Sequence, residues 1–248
     1  MIVVGDIGNT ETKICLISQK NKIIKKININ TKKINPSLLR NSFKILKFKN
    51  KNIKKCLFCS VDPKSYIKIK NFLFKNYKLK CYELKTLNLK KLINIKVNYN
   101  QIGSDRLANA IGAVNYKDNF IILDFGTATT FDVLVKNSYY GGVIAPGVKL
   151  SLNTLSNKAT LIPNINLKKT KKVIGLNTYS AVRSGFFWGY AGLIDNIINL
   201  IKKETNKTFK ILITGGLGNL FKNSINSKVL LNKDITIKGL IKATVLIK

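Results

Sequence analysis

Histidine is absent from this 248-residue sequence, cysteine is rare, and Asp and Glu together number 11 against 44 Lys and Arg. Cys56 and Cys59 form a CxxC pair, which is half of a common zinc or redox site. The sequence has no second CxxC, and Cys15 and Cys81 are isolated. Since the pair also lies in a strand-like apolar run, we interpret the cysteines as buried structural thiols and assign no metal there.

Signals for secretion or membrane insertion are also lacking. The first residues carry no basic segment of the kind that opens a signal peptide. The most apolar later stretch, residues 184–201, is interrupted by Asp195, Asn196 and Asn199, which disfavours a membrane span. Four cysteines without a secretory pattern favour a reducing compartment. We therefore expect a cytoplasmic protein that does not bind a membrane.

The formal net charge is +33, which would attract nucleic acid or other polyanions. The lysines are spread along the whole chain, together with many Asn and Ile residues. These three residue types share A/T-rich codons, so biased genome composition is the preferred explanation and a dedicated polyanion site is the alternative. The sequence has no nucleic-acid-binding motif, and we expect no specific nucleic-acid partner.

Two stretches of the chain follow one scheme of strand, Asp, Gly, hydroxyl-bearing turn and second strand. The first covers residues 1–17 with Asp6, and the second covers residues 120–135 with Asp124. Such an internal repeat indicates a duplicated architecture. Gly126 allows close backbone approach, and the amides and hydroxyls of three threonines could surround an anion, namely Thr127, Thr129 and Thr130. Two such turns facing one cleft would enclose a polyphosphate.

Residues 103–106, Gly-Ser-Asp-Arg, precede apolar residues at helical spacing, so a helix is predicted to begin here. Asp105 alone could be a plain N-cap. The helix dipole and Arg106 would both favour its ionised form. An ionised carboxylate in this place can accept the proton of a hydroxyl group, as aspartates do in phosphoryl transfer. The free amides and Arg106 would also attract an acidic substrate.

Other segments carry weaker signals. Residues 36–48 predict a basic amphipathic helix, and residues 235–247 predict a short strand followed by a helix. A long helix from residue 177 has small residues on one side, which predicts close helix packing within the fold or across a dimer. These small residues are Ala181, Gly185, Gly189 and Gly192. A glycine-rich turn at residues 214–218 follows a predicted strand at 209–213.

Taken together, these motifs resemble the acetate and sugar kinase, heat-shock chaperone and actin superfamily, and within it the type III pantothenate kinases. The matching segments are residues 6–13, 60–63, 103–106, 124–132, 142–147, 177–185 and 214–216. The resemblance implies an α/β fold of two duplicated ribonuclease-H-like domains, with mixed sheets flanked by helices and an ATP cleft between them. The implied domains are residues 1–115 and 116–248.

The family resemblance also implies the activity, which is ATP-dependent phosphorylation of pantothenate, the first step of coenzyme A biosynthesis. Asp105 would be the base, Asp6 would help to place Mg²⁺ through water, and Asp124 would bind a monovalent cation, K⁺ or NH₄⁺. The residues implied to bind ATP are Asp6, Ile7, Gly8, Asn9, Thr10, Glu11, Thr12, Lys13, Thr127, Gly215 and Gly216. Those implied to bind pantothenate are Tyr99, Gly103, Ser104, Asp105, Arg106 and Thr178, the last from the second subunit of a homodimer.

The sequence departs from the family pattern at one place. The family has a substrate-contacting Tyr seven residues before the motif glycine, with a Pro between them, and this register falls on Lys96 without a Pro. If the loop is three residues shorter, Tyr99 takes this role, which is the interpretation we favour. Two other functions stay open: a noncatalytic or regulatory relative, and a kinase for another small hydroxy acid.

Overall fold

The computed structural model describes residues 1–47 and 53–247. Its strands are β1 (Ile2–Ile7), β2 (Glu11–Ile17), β3 (Ile23–Asn30), β4 (Lys55–Ser60), β5 (Tyr82–Glu83), β6 (Asn94–Ile95), β7 (Phe120–Phe125), β8 (Ala128–Val135), β9 (Ser138–Pro146), β10 (Lys210–Gly215) and β11 (Val229–Leu231). Its α-helices are α1 (Pro36–Ile45), α2 (Pro63–Tyr77), α3 (Ser104–Ala113), α4 (Val148–Lys158), α5 (Thr178–Thr205), α6 (Gly218–Phe221) and α7 (Ile235–Ala243). The predicted end of the first helix, Phe48, lies outside the described residues.

The chain forms two compact units, Met1–Val114 with Asp234–Lys248, and Asn115–Lys233. The division near residue 115 coincides with the predicted domain boundary. The C-terminal residues differ from that prediction, because they pack with the first unit instead of the second. The predicted strand within residues 235–247 is also wrong, since α7 and a short 3₁₀ helix, Thr244–Leu246, occupy this segment.

The first unit is built on a sheet with the strand order β3-β2-β1-β4-β5. Strands β1 and β2 are antiparallel, as are β2 and β3, whereas β4 is parallel to both β1 and β5. Alternate residues of β1 and β4 bury one face of the sheet in a hydrophobic core that also contains residues of α1 and α2. Helices α3 and α7 pack against β1 and β4.

Helices α3 and α7 approach each other closely at two glycines. A Cβ atom on Gly239 would lie 1.8 Å from the Ala108 carbonyl oxygen, and one on Gly112 would lie 2.3 Å from the Ile235 carbonyl oxygen. The buried Thr236 hydroxyl donates a hydrogen bond to Asn109 Oδ1 at 2.7 Å. Helix α7 is therefore an integral support of α3.

The second unit repeats this topology. Its strands lie in the order β9-β8-β7-β10-β11. Strands β7 and β8 are antiparallel, as are β8 and β9, whereas β10 is parallel to both β7 and β11. The hydrophobic core of this unit combines one face of β7, β8 and β10 with the buried face of α5. The duplicated α/β architecture with mixed sheets and flanking helices, predicted from the sequence repeat, is confirmed.

Of the helices in the described ranges, none combines the length and the apolar character that crossing a membrane requires.

Candidate active site

The turn between β1 and β2 carries the first group of predicted site residues. The amide of Gly8 donates a hydrogen bond to the Glu11 carbonyl at 3.0 Å, which closes a tight turn. The side chains of Asn9, Thr10 and Glu11 are exposed on this turn. Asp6 is half-buried at the end of β1, where the antiparallel register sets it opposite the half-buried Lys13. The turn therefore presents backbone amides, the Thr10 hydroxyl and the half-buried Lys13 side chain.

Two predicted residues of this turn have side chains that face inward. Ile7 and Thr12 are both 0% exposed. The Thr12 hydroxyl forms a 2.9 Å hydrogen bond with the Thr31 hydroxyl inside the unit. Since strand side chains alternate between faces, neither side chain can reach a ligand at the turn surface. Ile7 and Thr12 can contribute only backbone groups to ATP binding.

A thiol that sequence reasoning assigned only to the core lies beside Asp6. Cys59 of β4 is paired with Asp6 in the parallel register, and its Sγ lies 3.4 Å from Asp6 Oδ1. Burial raises the pKa of the Cys59 thiol well above its ordinary value, and the charges of Asp6, Asp105 and Glu83 raise it further. The neutral thiol can therefore donate a hydrogen bond to the Asp6 carboxylate. The prediction that Cys56 and Cys59 lie buried in a strand is confirmed.

Helix α3 presents Asp105 in its first turn. The N-cap residue is Gly103, which has no side chain with which to cap the helix. Asp105 lies inside the helix, and its Oδ1 accepts a hydrogen bond from the Arg106 amide at 2.8 Å. A Cβ atom on Gly103 would lie 2.5 Å from this oxygen. Asp105 is thus not the N-cap, and the backbone leaves space for its carboxylate.

The electrostatics of Asp105 differ from the expectation based on sequence. Burial raises the pKa of the Asp105 carboxyl above its ordinary value, while the Arg106 amide and the Arg106 charge act in the opposite direction. The sequence showed only the groups that stabilise the ionised carboxylate and lower its pKa, because it could not show the extent of burial. A raised pKa makes the carboxylate a better proton acceptor than an exposed aspartate.

The segment before Asp105 is tied to residues that the sequence analysis did not select. The Ser104 side chain is 2% exposed, and its hydroxyl donates a hydrogen bond to Glu83 Oε1. The Tyr99 hydroxyl donates a 3.0 Å hydrogen bond to the Lys85 carbonyl, and burial raises the pKa of Tyr99. Lys96, the alternative to Tyr99, is exposed. One signal could have identified Glu83: it is one of only 11 acidic residues in a basic chain.

In the second unit, the turn between β7 and β8 carries the other predicted aspartate. The Gly126 amide donates to the Ala128 carbonyl at 3.0 Å, so this turn is closed as tightly as the first one. Asp124 is half-buried and Thr127 is exposed. Thr129 is 0% exposed, which is contrary to its predicted place around an anion. Thr130, on the opposite face of β8, is half-buried and stays available.

The glycine-rich turn after β10 lies directly beside Asp124. Gly215 has a φ of +83°, which residues other than glycine rarely adopt. A Cβ atom here would lie 2.6 Å from Asp124 Oδ1 and 2.5 Å from the Phe125 backbone. The Gly216 amide donates to the Phe125 carbonyl at 3.1 Å, and Gly216 itself is exposed. The turn therefore gives the second unit an open backbone surface next to a carboxylate.

Helix α5 begins at Thr178, which is exposed. Asn177 and Ser180 form a capping box that fixes this end of the helix. The small residues predicted to pack closely are exposed on one side of α5, and Cβ atoms on its three glycines would meet no atom within 4 Å. These are Gly185, Gly189 and Gly192. The prediction that this side of α5 packs closely within the fold is therefore wrong, and packing across a dimer stays a prediction.

Comparisons with known proteins show to which family the chain belongs. The family model for type III pantothenate kinase matches residues 2–200. The type III pantothenate kinase of Pelagibacter ubique (strain HTCC1062) is 73% identical over 248 residues, which cover 100% of each chain. That of Sulfurihydrogenibium sp. (strain YO3AOP1) is 36% identical over 250 residues, covering 97% of this chain and 98% of its own.

A solved structure supports the fold independently of sequence. A putative 2-dehydro-3-deoxygalactonokinase from Sinorhizobium meliloti superposes with a TM-score of 0.61 and covers 98% of each chain at 8% identity. At this identity the likeness concerns the fold alone. The family model and the two relatives match far more specifically and span the turn of Asp6, the start of α3 and the turn of Asp124. The chain belongs to the type III pantothenate kinase family.

Proposed function

We propose that this protein transfers the γ-phosphoryl group of ATP to the primary hydroxyl of pantothenate, giving 4'-phosphopantothenate in the first step of coenzyme A biosynthesis. The observation that carries the proposal is a half-buried carboxylate, Asp105, with a raised pKa at the start of α3, in a chain of this family. In this role Asp105 accepts the hydroxyl proton as the phosphoryl group is transferred.

The nucleotide is assigned to the glycine turns. In the first unit, residues 6–13 bind the ATP phosphates through turn amides, the exposed Thr10 hydroxyl and the Lys13 ammonium group. In the second unit, Thr127 and the backbone of Gly215 and Gly216 contact the nucleotide. The exposure of Thr127 and Gly216 and the open turn geometry support this assignment. Phosphoryl transfer depends mainly on alignment and charge neutralisation, which such turns can supply.

Pantothenate is assigned to the segment that leads into α3. Gly103 makes no side-chain cap bond, so first-turn amides other than that of Arg106 can serve a polar group of the substrate, and Arg106 adds positive charge. The Ser104 hydroxyl is already bonded to Glu83, so Ser104 contributes its backbone. Tyr99 is preferred to the exposed Lys96 as the aromatic contact, because its ring lies in the same hydrogen-bonded segment. Thr178 contacts the pantothenate of a second subunit.

The metal assignments are proposals from the donor chemistry. Mg²⁺ prefers oxygen ligands and usually keeps several waters. Within residues 1–47 and 53–247, no group of three or more His, Cys, Asp or Glu side chains is suited to hold a metal ion. A single carboxylate, Asp6, fits a magnesium ion that is bound through water and by the ATP phosphates. The half-buried Asp124 carboxylate is an oxygen donor suited to K⁺ or NH₄⁺.

We also propose a homodimer with α5 in its interface. The exposed face of α5 carries small residues with open space above them, and small residues permit close helix contact. Apolar side chains elsewhere in this unit are strongly exposed, among them Ile144, Leu161 and Leu176. A second copy would cover such surface. The four buried, free cysteines suit a cytoplasmic location, which we propose as well.

One coupled assay of ADP formation tests the function. We expect turnover with pantothenate that requires Mg²⁺ and K⁺ or NH₄⁺, and little turnover with other small hydroxy acids. Preference for another hydroxy acid would assign a different substrate. Absence of turnover with every acid, together with salt-sensitive DNA binding, would favour a noncatalytic relative acting through its positive charge.

A further inference from the structure

Glu83 lies at the beginning of a long connection whose far end is the start of α3. One carboxylate oxygen, Oε2, accepts a 2.6 Å hydrogen bond from the Lys85 amide and thereby caps the 3₁₀ helix Leu84–Thr86. The other oxygen, Oε1, accepts a hydrogen bond from the buried Ser104 hydroxyl. One side chain thus joins the two ends of the connection immediately before Asp105.

Lys85 strengthens the same junction. Its ammonium group donates hydrogen bonds to the carbonyls of Asn100 at 3.1 Å and Ile102 at 3.0 Å. Its own carbonyl accepts the Tyr99 hydroxyl at 3.0 Å, and its ammonium lies 5.2 Å from the centre of the Tyr99 ring. We call Glu83 and Lys85 the 83–85 clamp. The clamp holds residues 99–104 by side-chain bonds from a single 3₁₀ turn and its N-cap.

We propose that Glu83 and Lys85 are positioning residues that fix the substrate segment 99–104 and the approach of Asp105. This inference rests on the proposed function, in which that segment binds pantothenate. The Glu83–Ser104 hydrogen bond spans 21 positions of the sequence, so it directly fixes the start of α3 relative to the end of β5. Hydrogen bonds to charged groups are stronger than neutral ones, so a carboxylate and an ammonium suit this task.

The electrostatic surroundings agree with a clamp beside the reacting groups. The Glu83 charge contributes to raising the pKa values of both Cys59 and Tyr99. Cys59 is the thiol within 3.4 Å of Asp6, and the Asp105 charge also acts on it. Glu83 therefore lies close enough to act electrostatically on the neighbourhood of Asp6 and on the predicted aromatic contact.

The kinetic experiment compares four variants with wild type: Glu83→Gln, Ser104→Ala, the double variant, and Lys85→Met. We expect kcat/KM for pantothenate to fall about tenfold in Glu83→Gln and in Ser104→Ala, which each weaken or remove one charge-assisted hydrogen bond. In Lys85→Met, which removes two, the fall should be at least as large. The KM for ATP should change less than about twofold. Lys85→Arg, which keeps two donors, should recover most of the activity.

Controls separate positioning from general stability. Glu204→Gln and Lys90→Met make the same charge changes at exposed positions, Lys90 lying in the same connection. Both controls should behave as wild type. The double variant should be no worse than Glu83→Gln alone, since the Ser104 hydroxyl acts through Glu83. Additive losses, equal increases in the KM of both substrates, or a change in melting temperature with unchanged kinetics would overturn the proposal.

A second measurement does not depend on the reaction. In Glu83→Gln, amide hydrogen exchange should become faster at residues 99–106 and stay unchanged in β1 and β2. Unchanged exchange at residues 99–106 would exclude the clamp even if the kinetic constants change. If wild type shows no pantothenate-dependent turnover, the proposed function fails, and the exchange experiment still decides whether the clamp exists.

Discussion

At the scale of single residues, the surroundings of Asp105 determine how readily its carboxylate accepts a proton. Its place in the first turn of α3 provides an amide partner, and its burial raises its pKa. These two effects oppose each other, and burial is the larger. A carboxylate in this environment is more basic than an exposed one, which suits a proton acceptor.

Replacing Asp105 with Asn should abolish this proton transfer. We expect kcat to fall about 100- to 10,000-fold, the range typical of general-base catalysis. In wild type, kcat/KM should decrease as the pH is lowered, because protonation removes the base. The midpoint of this decrease should lie above the value of about 3.9 for an ordinary aspartate. Steady-state assays across pH measure both, with Glu204→Gln at an exposed position as control. Near-normal turnover of Asp105→Asn would remove Asp105 as the base.

The same substitution should stabilise the fold. The native pKa of Asp105 is raised above its unfolded value, so the native state binds more protons between these values and stability falls as pH rises through them. At pH values above the native pKa this cost is fully present, and Asp105→Asn should remove it. Thermal unfolding should therefore give a higher melting temperature for the variant at neutral pH. The difference should vanish at pH values below the unfolded pKa; a lower melting temperature at neutral pH would contradict burial as the dominant effect.

At the scale of secondary-structure elements, α3 is held by a helix from the other end of the chain. The Lys242 ammonium of α7 donates to the carbonyls of Ile111, Gly112 and Val114 at distances of 2.9 to 3.1 Å. These carbonyls lie at the C-terminal end of α3, where helical bonding leaves them without amide partners. Burial lowers the pKa of Lys242, so the contact is made at some desolvation cost. Helix α7 lies beyond the residues that the family model matches.

Removing the Lys242 hydrogen bonds to the end of α3 should lower the stability of the first unit. Lys242→Met keeps the aliphatic length and deletes all three donors, and we expect the free energy of unfolding to fall by about 1–3 kcal/mol. Lys203→Met, at an exposed position in α5, is the matched control and should change stability by less than about 0.5 kcal/mol. Urea unfolding measures both. Equal effects in the two variants would show that Lys242 contributes only as a surface charge.

At the scale of the whole molecule, the chain contains a structural repeat, and each of its two copies has an aspartate at the same topological position. Asp6 ends β1 beside Lys13 and Cys59, and Asp124 ends β7 beside Thr130 and Thr214. The repeated strands have the same order and directions, while the residues beside the two aspartates differ. Duplication therefore supplies two equivalent turns, and different partners on the adjacent strands allow each turn a different ligand.

The proposed homodimer belongs to this scale as well. Gly189→Glu places a long charged side chain on the small-residue face of α5, where the proposed contact is closest. Sedimentation should show a dimer for wild type and a monomer for the variant. Asn71→Glu, at an exposed position of α2, makes the same charge change and should leave the dimer intact. A dimer that persists in Gly189→Glu would exclude this face from the interface.

The sequence by itself determined the repeat, the α/β class and the places where ligand-binding turns occur. Alternating apolar residues and a following Asp and Gly specify a strand and a turn locally, so residues 1–17 and 120–135 could be interpreted without the fold. The start of α3 could be predicted for the same reason. Family motifs then implied which aspartate serves which role.

Only the tertiary structure decided what surrounds these residues. The sequence could not show that Asp105 is half-buried, that Thr129 and Thr12 face inward, or that Cys59 lies beside Asp6, because burial and strand pairing arise from distant segments. It also could not attach α7 to α3, since the glycines that permit their contact are separated by more than half of the chain. The Glu83–Ser104 hydrogen bond also joins residues that are distant in sequence, so the sequence could not show it. Residue types and spacing specify local chemistry, and packing determines the charge, orientation and partners of each group.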